Sequence, residues 1–191
     1  MGFKEQFMMK AGISKHTPDG LKYFILNEEI YIRGFEHHAT FQEIPSQIEN
    51  MPVVSIENMQ ESALQGEIIL PDTLRRIADM CFEFQKYVTK FIIPSSVSLI
   101  GEHAFAFCDL LEEIIFPDTL EMLPMGGGIE ECPNLKQIHL PAGLKEIPEY
   151  FAVGCTSLES IFIPDSVVKI GKNAFEGCTN LKSIRLPEHL K

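Results

Sequence analysis

The chain has 191 residues, of which 45% are hydrophobic and 23% are charged, and this composition excludes global disorder. It contains no stretch of 18 or more apolar residues, which excludes a transmembrane helix. The formal net charge of −11 argues against nucleic acid as a partner, because phosphate backbones bind to basic stripes.

Residues 1–40 differ in pattern from the rest of the chain. They contain neither the apolar core nor the cleavage site of a signal peptide, which predicts a cytoplasmic protein. A chain whose signal had been removed would look the same, and such a protein would be secreted or at the cell surface. Leu21–Leu26 and Ile30–Arg33 are short β-like runs that predict a hairpin. We expect residues 1–40 to be an N-terminal segment whose hairpin caps the structure formed by residues 41–191.

Residues 41–191 repeat with a period of about 23 residues. A proline defines the phase of each regular repeat, with apolar residues three positions before it, one before it and three after it. Because one unit is too short to bury its own apolar face, neighbouring units must stack around one continuous core. The prolines are Pro45, Pro71, Pro94, Pro117, Pro141, Pro164 and Pro187.

The segment before each proline predicts a β-strand. In Ser183–Leu186 polar and apolar residues alternate, as in a half-buried strand, and Pro187 ends the run because it donates no hydrogen bond. Stacked copies would form a parallel sheet with strands about 4.8 Å apart. The return segment is too short for a crossover helix, so we expect turns, a short helical turn or an extended piece there. The sequence therefore predicts a mainly β or α/β repeat solenoid.

Residues 158–178 show the repeat in its most regular form, Leu-x-x-Ile-x-Ile-Pro-x-x-Val-x-x-Ile-Gly-x-x-Ala-Phe-x-x-Cys. This pattern resembles the BspA-like, or treponemal-type, leucine-rich repeat family. The resemblance covers roughly residues 41–191, or about six to seven repeats. It implies a right-handed leucine-rich-repeat coil with a parallel concave sheet. The family is associated with bacterial surface and adhesion proteins, so the resemblance implies protein recognition rather than catalysis.

Some repeats depart from this pattern. Gln85 occupies a position where the pattern predicts cysteine, and Cys81 fills the alanine position of the same repeat. The repeat that contains Gly126–Gly128 lacks the Ala-Phe pair and is one residue longer, and Phe151–Ala152 has the pair in reversed order. We expect the convex side to deviate at these repeats.

The phased cysteines predict a packed ladder rather than a metal site or disulfides. No Cys-x-x-Cys pair exists, and no cysteine lies near a histidine at zinc-finger spacing. In-register side chains on parallel coils point the same way, which does not suit disulfide geometry. A free cysteine behaves as a small buried hydrophobe. We expect buried, reduced thiols at Cys108, Cys132, Cys155 and Cys178.

Other candidates for chemistry have simpler interpretations. His37 and His38 are adjacent, so on a strand they would face opposite ways. Gly126–Gly128 is not followed by Lys-Ser/Thr and therefore predicts a turn rather than a phosphate loop. Acidic pairs such as Glu112–Glu113 have no accompanying nucleophile or base. The sequence predicts no catalytic residue, no metal site and no cofactor.

The remaining candidate site is the outward, concave face of the predicted sheet. Residues two and four positions before each proline would point away from the core. Contiguous exposed apolar surface commonly indicates an interaction site. Alternatively, β-branched residues simply suit an open sheet, or the cap or a neighbouring chain covers them. The candidate partner-binding residues are Ile69, Ile92, Ile115, His139, Phe162 and Arg185, two before the proline, with Lys90 and Glu113, four before it.

We therefore predict a non-enzymatic module that binds a protein or peptide partner on the concave sheet face. One alternative is a structural repeat segment of a larger bacterial cell-surface adhesin, and another is an enzyme with an unrecognised site. The C-terminal repeat has no evident cap, which leaves open end-to-end self-association through that end.

Overall fold

The computed structural model describes residues 14–36, 43–60, 62 and 64–190. The described residues form short strands joined by turns and contain no helix. The N-terminal 13 residues, His37 and His38, and the boundary predicted at residue 40 lie outside the described residues. The strands are β1 (Lys15–His16), β2 (Leu21–Leu26), β3 (Glu29–Phe35), β4 (Gln47–Ile48), β5 (Met51–Ile56), β6 (Gln65–Ile69), β7 (Arg76–Ile77), β8 (Tyr87–Ile92), β9 (Leu99–Ile100), β10 (Glu113–Ile115), β11 (Gln137–His139), β12 (Glu146–Ile147), β13 (Ser160–Phe162), β14 (Lys169–Ile170) and β15 (Ser183–Arg185).

The N-terminal hairpin forms as predicted. β2 and β3 pair antiparallel around a turn in which Asn27 and Glu28 have φ angles of 52° and 62°, a conformation that suits tight hairpins. β1 extends the hairpin beside β2, while β3 pairs in parallel with β5. Leu21, Ile30 and Ile32 are fully buried. The hairpin therefore joins the edge of the first coil and shares its core.

The strands that precede the prolines pair in parallel, which confirms the predicted sheet. β6, β8, β10 and β11 form one four-stranded sheet, and β13 pairs with β15. β11 and β13 are neighbours in space but have no paired residues within the described part of the chain. Ile114 lies opposite Ile138, and Ile161 lies opposite Ile184. The first three are buried and Ile184 is half-buried, so the predicted column is part of the core.

A second set of parallel strands lies five and six residues after the prolines. Each of β7, β9, β12 and β14 has only two residues, and β5, β7 and β9 form one ladder while β12 pairs with β14. Ile77, Ile100 and Ile147 point inward and are buried. Between β9 and β12 lies the longer repeat, in which Leu123 is buried but residues 121–124 form no strand. The repeat pattern predicts an apolar residue six positions after the proline, as at Ile170, but it does not distinguish a strand from a turn there.

The cysteine ladder is buried and free of disulfides, as predicted. The structure adds a role for the thiols, because each Sγ lies within hydrogen-bonding distance of a carbonyl oxygen of the preceding coil. Among the described residues, no backbone N–H reaches these carbonyls. The thiol is therefore their donor, although a weak one. The Sγ–O distances are 3.3 Å for Cys108–Phe82, 3.3 Å for Cys132–Phe105, 3.1 Å for Cys155–Ile129 and 3.1 Å for Cys178–Ala152.

Gln85 also donates to the preceding coil, in the repeat whose cysteine position it occupies. Its Nε2 donates to the carbonyl oxygen of Met59, which is again in the preceding coil. Its Oε1 accepts a hydrogen bond of 2.9 Å from the hydroxyl of Ser62. Gln85 has no exposed surface, so both ends of the amide need these partners. The departure from the repeat pattern therefore preserves the donor that the fold requires.

Candidate functional site

The outward residues of the strands before the prolines lie in register, which places the predicted contact residues on one face. We call this surface the strand face, defined by the eight candidate residues of the sequence analysis. Ile69 and Phe162 are 66% and 65% exposed, while Ile92 and Ile115 between them are half-buried. The paired positions run Ile69, Ile92, Ile115 and His139 across the first sheet and Phe162 and Arg185 across the second.

Three charged or polar side chains of the strand face form one network. One carboxylate oxygen of Glu113 lies 2.9 Å from Lys90 Nζ, and the other lies 2.8 Å from His139 Nε2. The side chains of Lys90 and Glu113 are only 25% and 23% exposed. Hydrogen bonding to Glu113 raises the pKa of Lys90, and the bond from Lys90 lowers the pKa of Glu113. The charges at the centre of the face therefore neutralise each other.

Charges that flank the strands of both sheets are also paired across neighbouring coils. Lys136 Nζ lies 3.0 Å from Glu112, and Lys182 Nζ lies 2.9 Å from Glu159. Arg185 differs, because its guanidinium lies 3.6 Å from an exposed aspartate and its side chain is 72% exposed. Such an exposed pair contributes little energy, so Arg185 remains free to contact a partner.

The strand face extends over six strands. Five steps of about 4.8 Å separate β6 from β15, so the column is roughly 24 Å long. An extended segment of about seven residues would cover this distance at 3.3 Å per residue. The dimensions therefore suit an extended peptide or a strand at the edge of another protein.

The structure also has an exposed apolar groove, whose lining residues the repeat pattern does not predict. Met122 and Met125 in the longer repeat are 71% and 58% exposed. With Leu123 and Pro148 they line a groove of about 590 Å³. Its location next to Gly126–Gly128 matches the repeat where a deviation was predicted, and the predicted turn is present there.

The described residues form neither a metal site nor a membrane-spanning helix. In that part of the chain, no group of three or more His, Cys, Asp and Glu side chains is placed to hold a metal ion. A search of the same residues for a helix long and apolar enough to cross a bilayer finds none.

Parallel strands of one coil stacked on those of the next, with one proline-terminated strand per coil, define a leucine-rich-repeat solenoid. The family model described as "BspA type Leucine rich repeat region" matches the chain in 6 copies, over residues 28–150 and 128–191. The chain therefore belongs to this family. No curated protein sequence matches the chain.

Solved structures share this fold. A leucine-rich repeat protein of T. pallidum is 23% identical, with a TM-score of 0.68 over 88% of this chain and 92% of that protein. A leucine-rich repeat protein of Bacteroides ovatus is 23% identical, with a TM-score of 0.65 over 92% of this chain and 54% of that one. The pneumococcal vaccine antigen PcpA is 19% identical, with a TM-score of 0.71 over 93% of this chain and 51% of that one. The chain thus spans about half the length of the last two.

Proposed function

We propose that the protein is a non-enzymatic interaction module that binds an extended segment of a partner protein on the strand face. The observation that carries this proposal is the in-register outward column, in which Ile69 and Phe162 are about two-thirds exposed. The family and the similar structures support it, because they are leucine-rich repeat proteins rather than enzymes.

The chemistry of the strand face favours apolar contacts at Ile69 and Phe162, on either side of its charged centre. Burying a large apolar side chain stabilises a complex by about 1.5–3 kcal/mol, and a few such residues commonly dominate binding energy. Ile92 and Ile115 are already partly covered, so Ile69 and Phe162 have the most apolar surface to lose to a partner. Arg185 provides donors beside Phe162 and would fix the orientation of the bound segment, while His139 Nε2 is already paired with Glu113.

The paired charges also predict how binding to the strand face depends on salt concentration. Because Lys90 and Glu113 neutralise each other, the centre of the strand face has no large electrostatic attraction to offer. Binding there should therefore change little between about 0.05 and 0.5 M NaCl, conditions that strongly screen exposed charges.

The test compares two apolar-to-charged substitutions on the strand face with one elsewhere. The wild-type chain, Ile69→Asp, Phe162→Asp and the control Met122→Asp would each be immobilised and exposed to an extract of the native cells. A partner of the strand face is retained by the wild type and by Met122→Asp but lost from both strand-face variants. All four chains should melt at nearly the same temperature, since the changed side chains are exposed. Equal retention by all four chains would contradict the proposal.

The proposed role is the same for a repeat segment of a larger cell-surface adhesin, since each coil contacts only its neighbours and the face needs no other domain. End-to-end self-association through the last coil stays a prediction. Light scattering over a concentration series measures it directly.

A further inference from the structure

Each coil also has a corner, which comes after the turn that follows its short second strand. These short strands are β7, β9, β12 and β14. The backbone there is left-handed in five successive coils, including three in which the corner residue is not glycine. In the first four of these coils the corner N–H donates to a carbonyl of the next coil, with N–O distances of 3.1 Å from Phe84 to Ala106 and 2.8 Å from Gly154 to Glu176. The φ angles are 60° at Phe84, 55° at Phe107, 51° at Glu131, 72° at Gly154 and 76° at Gly177.

Phenylalanine is an unexpected residue at this corner. A left-handed conformation is unfavourable for a bulky L-residue, and glycine adopts it without that penalty. Because Gly154 makes the same type of backbone bond as Phe84, the backbone does not require an aromatic residue. Phe84 is also 42% exposed, so a large part of its ring is not packed in the core. Backbone strain retained without structural need is a basis for inferring function.

The two rings form one platform. Phe84 and Phe107 are stacked with centroids 5.1 Å apart and planes inclined by 23°. Phe84 lines a groove on each side of the platform. The groove toward the N-terminal hairpin, of about 600 Å³, is also lined by Lys22 and Arg33, and none of the described residues that line it is acidic. The platform therefore has a positively charged surface on one side.

The groove on the other side has the opposite charge. Its volume is about 380 Å³, and Phe107, Asp109 and Glu131 line it. Lys86 lines it as well, so two carboxylates stand against one ammonium and the balance is −1. The successive corners are roughly 4.8 Å apart, which orders the charges along the solenoid axis from positive, through aromatic, to negative.

We propose that the platform and the two grooves beside it form a second docking site. Its occupant is a peptide segment of a partner protein, and the charges of this segment have a fixed order. The acidic end of the segment lies over Lys22 and Arg33, an apolar or aromatic side chain packs on Phe84 and Phe107, and a Lys or Arg side chain lies against Asp109 and Glu131. A cation beside an aromatic face and a carboxylate gains from both. This site is separate from the strand face and does not depend on the function proposed for it.

The conformation of the corner provides a matched variant. Phe84→Gly/Phe107→Gly installs the residue that the same corner has at positions 154 and 177, so the backbone is kept while the platform is removed. A library of random twelve-residue peptides displayed on phage would be selected on the full chain, with counter-selection on this double variant. The melting temperature of the double variant should fall by no more than about 3 °C, which corresponds to roughly 1 kcal/mol for a chain of this size.

Enriched peptides should have an acidic end, an apolar middle and a basic end, and should bind the double variant at least tenfold more weakly. Phe162→Asp, on the strand face, should leave their affinity unchanged. Lys22→Glu/Arg33→Glu, which reverses the charge of one groove and removes the contact of Arg33 with the Phe24 ring, should weaken the binding of these peptides and favour peptides with basic residues at both ends. That charge-reversed variant also decides the question if the glycine variant is destabilised by more than the stated shift. Enrichment without this charge order, or affinity that neither variant changes, would overturn the proposal.

Discussion

Replacing Gln85 with leucine should destabilise the protein through two identifiable groups. The buried hydroxyl of Ser62 loses its acceptor, Gln85 Oε1, and a buried donor left without a partner costs about 1–3 kcal/mol. The carbonyl of Met59 loses the amide donor but keeps the N–H of Ser62 at 3.2 Å, so its loss is nearer 0.5–1.5 kcal/mol by the net value of one hydrogen bond. Together these give about 1.5–4.5 kcal/mol, or about 3–18 °C in melting temperature.

Urea unfolding followed by circular dichroism would measure this, with Ser62→Ala added to both backgrounds. In the wild type Ser62→Ala should cost about 1 kcal/mol, because it leaves Gln85 Oε1 with no hydroxyl donor. In the leucine background the same change should be neutral or stabilising, since it removes the unpaired hydroxyl. Gln47→Leu, at an exposed glutamine of β4, is the control and should stay within about 0.5 kcal/mol of wild type. Additive effects of the two substitutions would refute the explanation.

Other predictions concern the core and the thiols. Ile161→Ala should lower the free energy of unfolding by about 2–5 kcal/mol in the same urea assay, because it leaves a cavity in the buried column, and a loss below 1 kcal/mol would contradict that burial. Cys108, Cys132, Cys155 and Cys178 should react with iodoacetamide much more slowly in the native protein than in urea, and equal rates would show that the ladder is accessible. Burial raises the pKa of the Cys155 thiol from 9.0 to about 12, so the native state holds this proton more tightly than the unfolded chain. The contribution of this thiol to stability should therefore be constant below about pH 9 and fall as the pH rises toward 12, by up to about 1.4 kcal/mol per pH unit. Cys155→Ala should accordingly show a smaller decline in melting temperature over that range.

The parallel sheet could be predicted because its signal is repeated. A single run such as Ser160–Phe162 is too short to identify a strand, but the same alternation before every proline fixes both the strand and its register. The second ladder could not be identified in this way. Arg76–Ile77 and its equivalents have only two residues each, which is too few to show the alternation of polar and apolar residues that indicates a strand. Their pairing comes from the stacking of the coils, which the first sheet imposes.

Parts of the strand face were also accessible from the sequence. The repeat places Lys90, Glu113 and His139 on three successive strands, and the first two are in equivalent positions, so their ion pair follows from the register. The contact to His139 does not, because that residue is two positions further along its strand and reaches Glu113 diagonally. The missing pairing between β11 and β13 has no counterpart in the sequence that we identify.

Departures from a repeat become informative when they are sorted by what they preserve. Gln85 replaces a cysteine but still donates to the preceding coil, so its role is explained by the fold. The additional residue near Gly126–Gly128 is accommodated in a turn, because β10 and β11 remain paired across that repeat while the ladder of short strands is interrupted.

Phe84 and Phe107 preserve the corner hydrogen bonds that glycine also makes, yet they add exposed aromatic surface at a conformation that disfavours it. Since glycine makes the same corner hydrogen bond, as at Gly154, the exposed part of the platform is better explained by a partner than by the backbone of the corner. The order of opposite charges on its two sides then defines the peptide that such a partner would present.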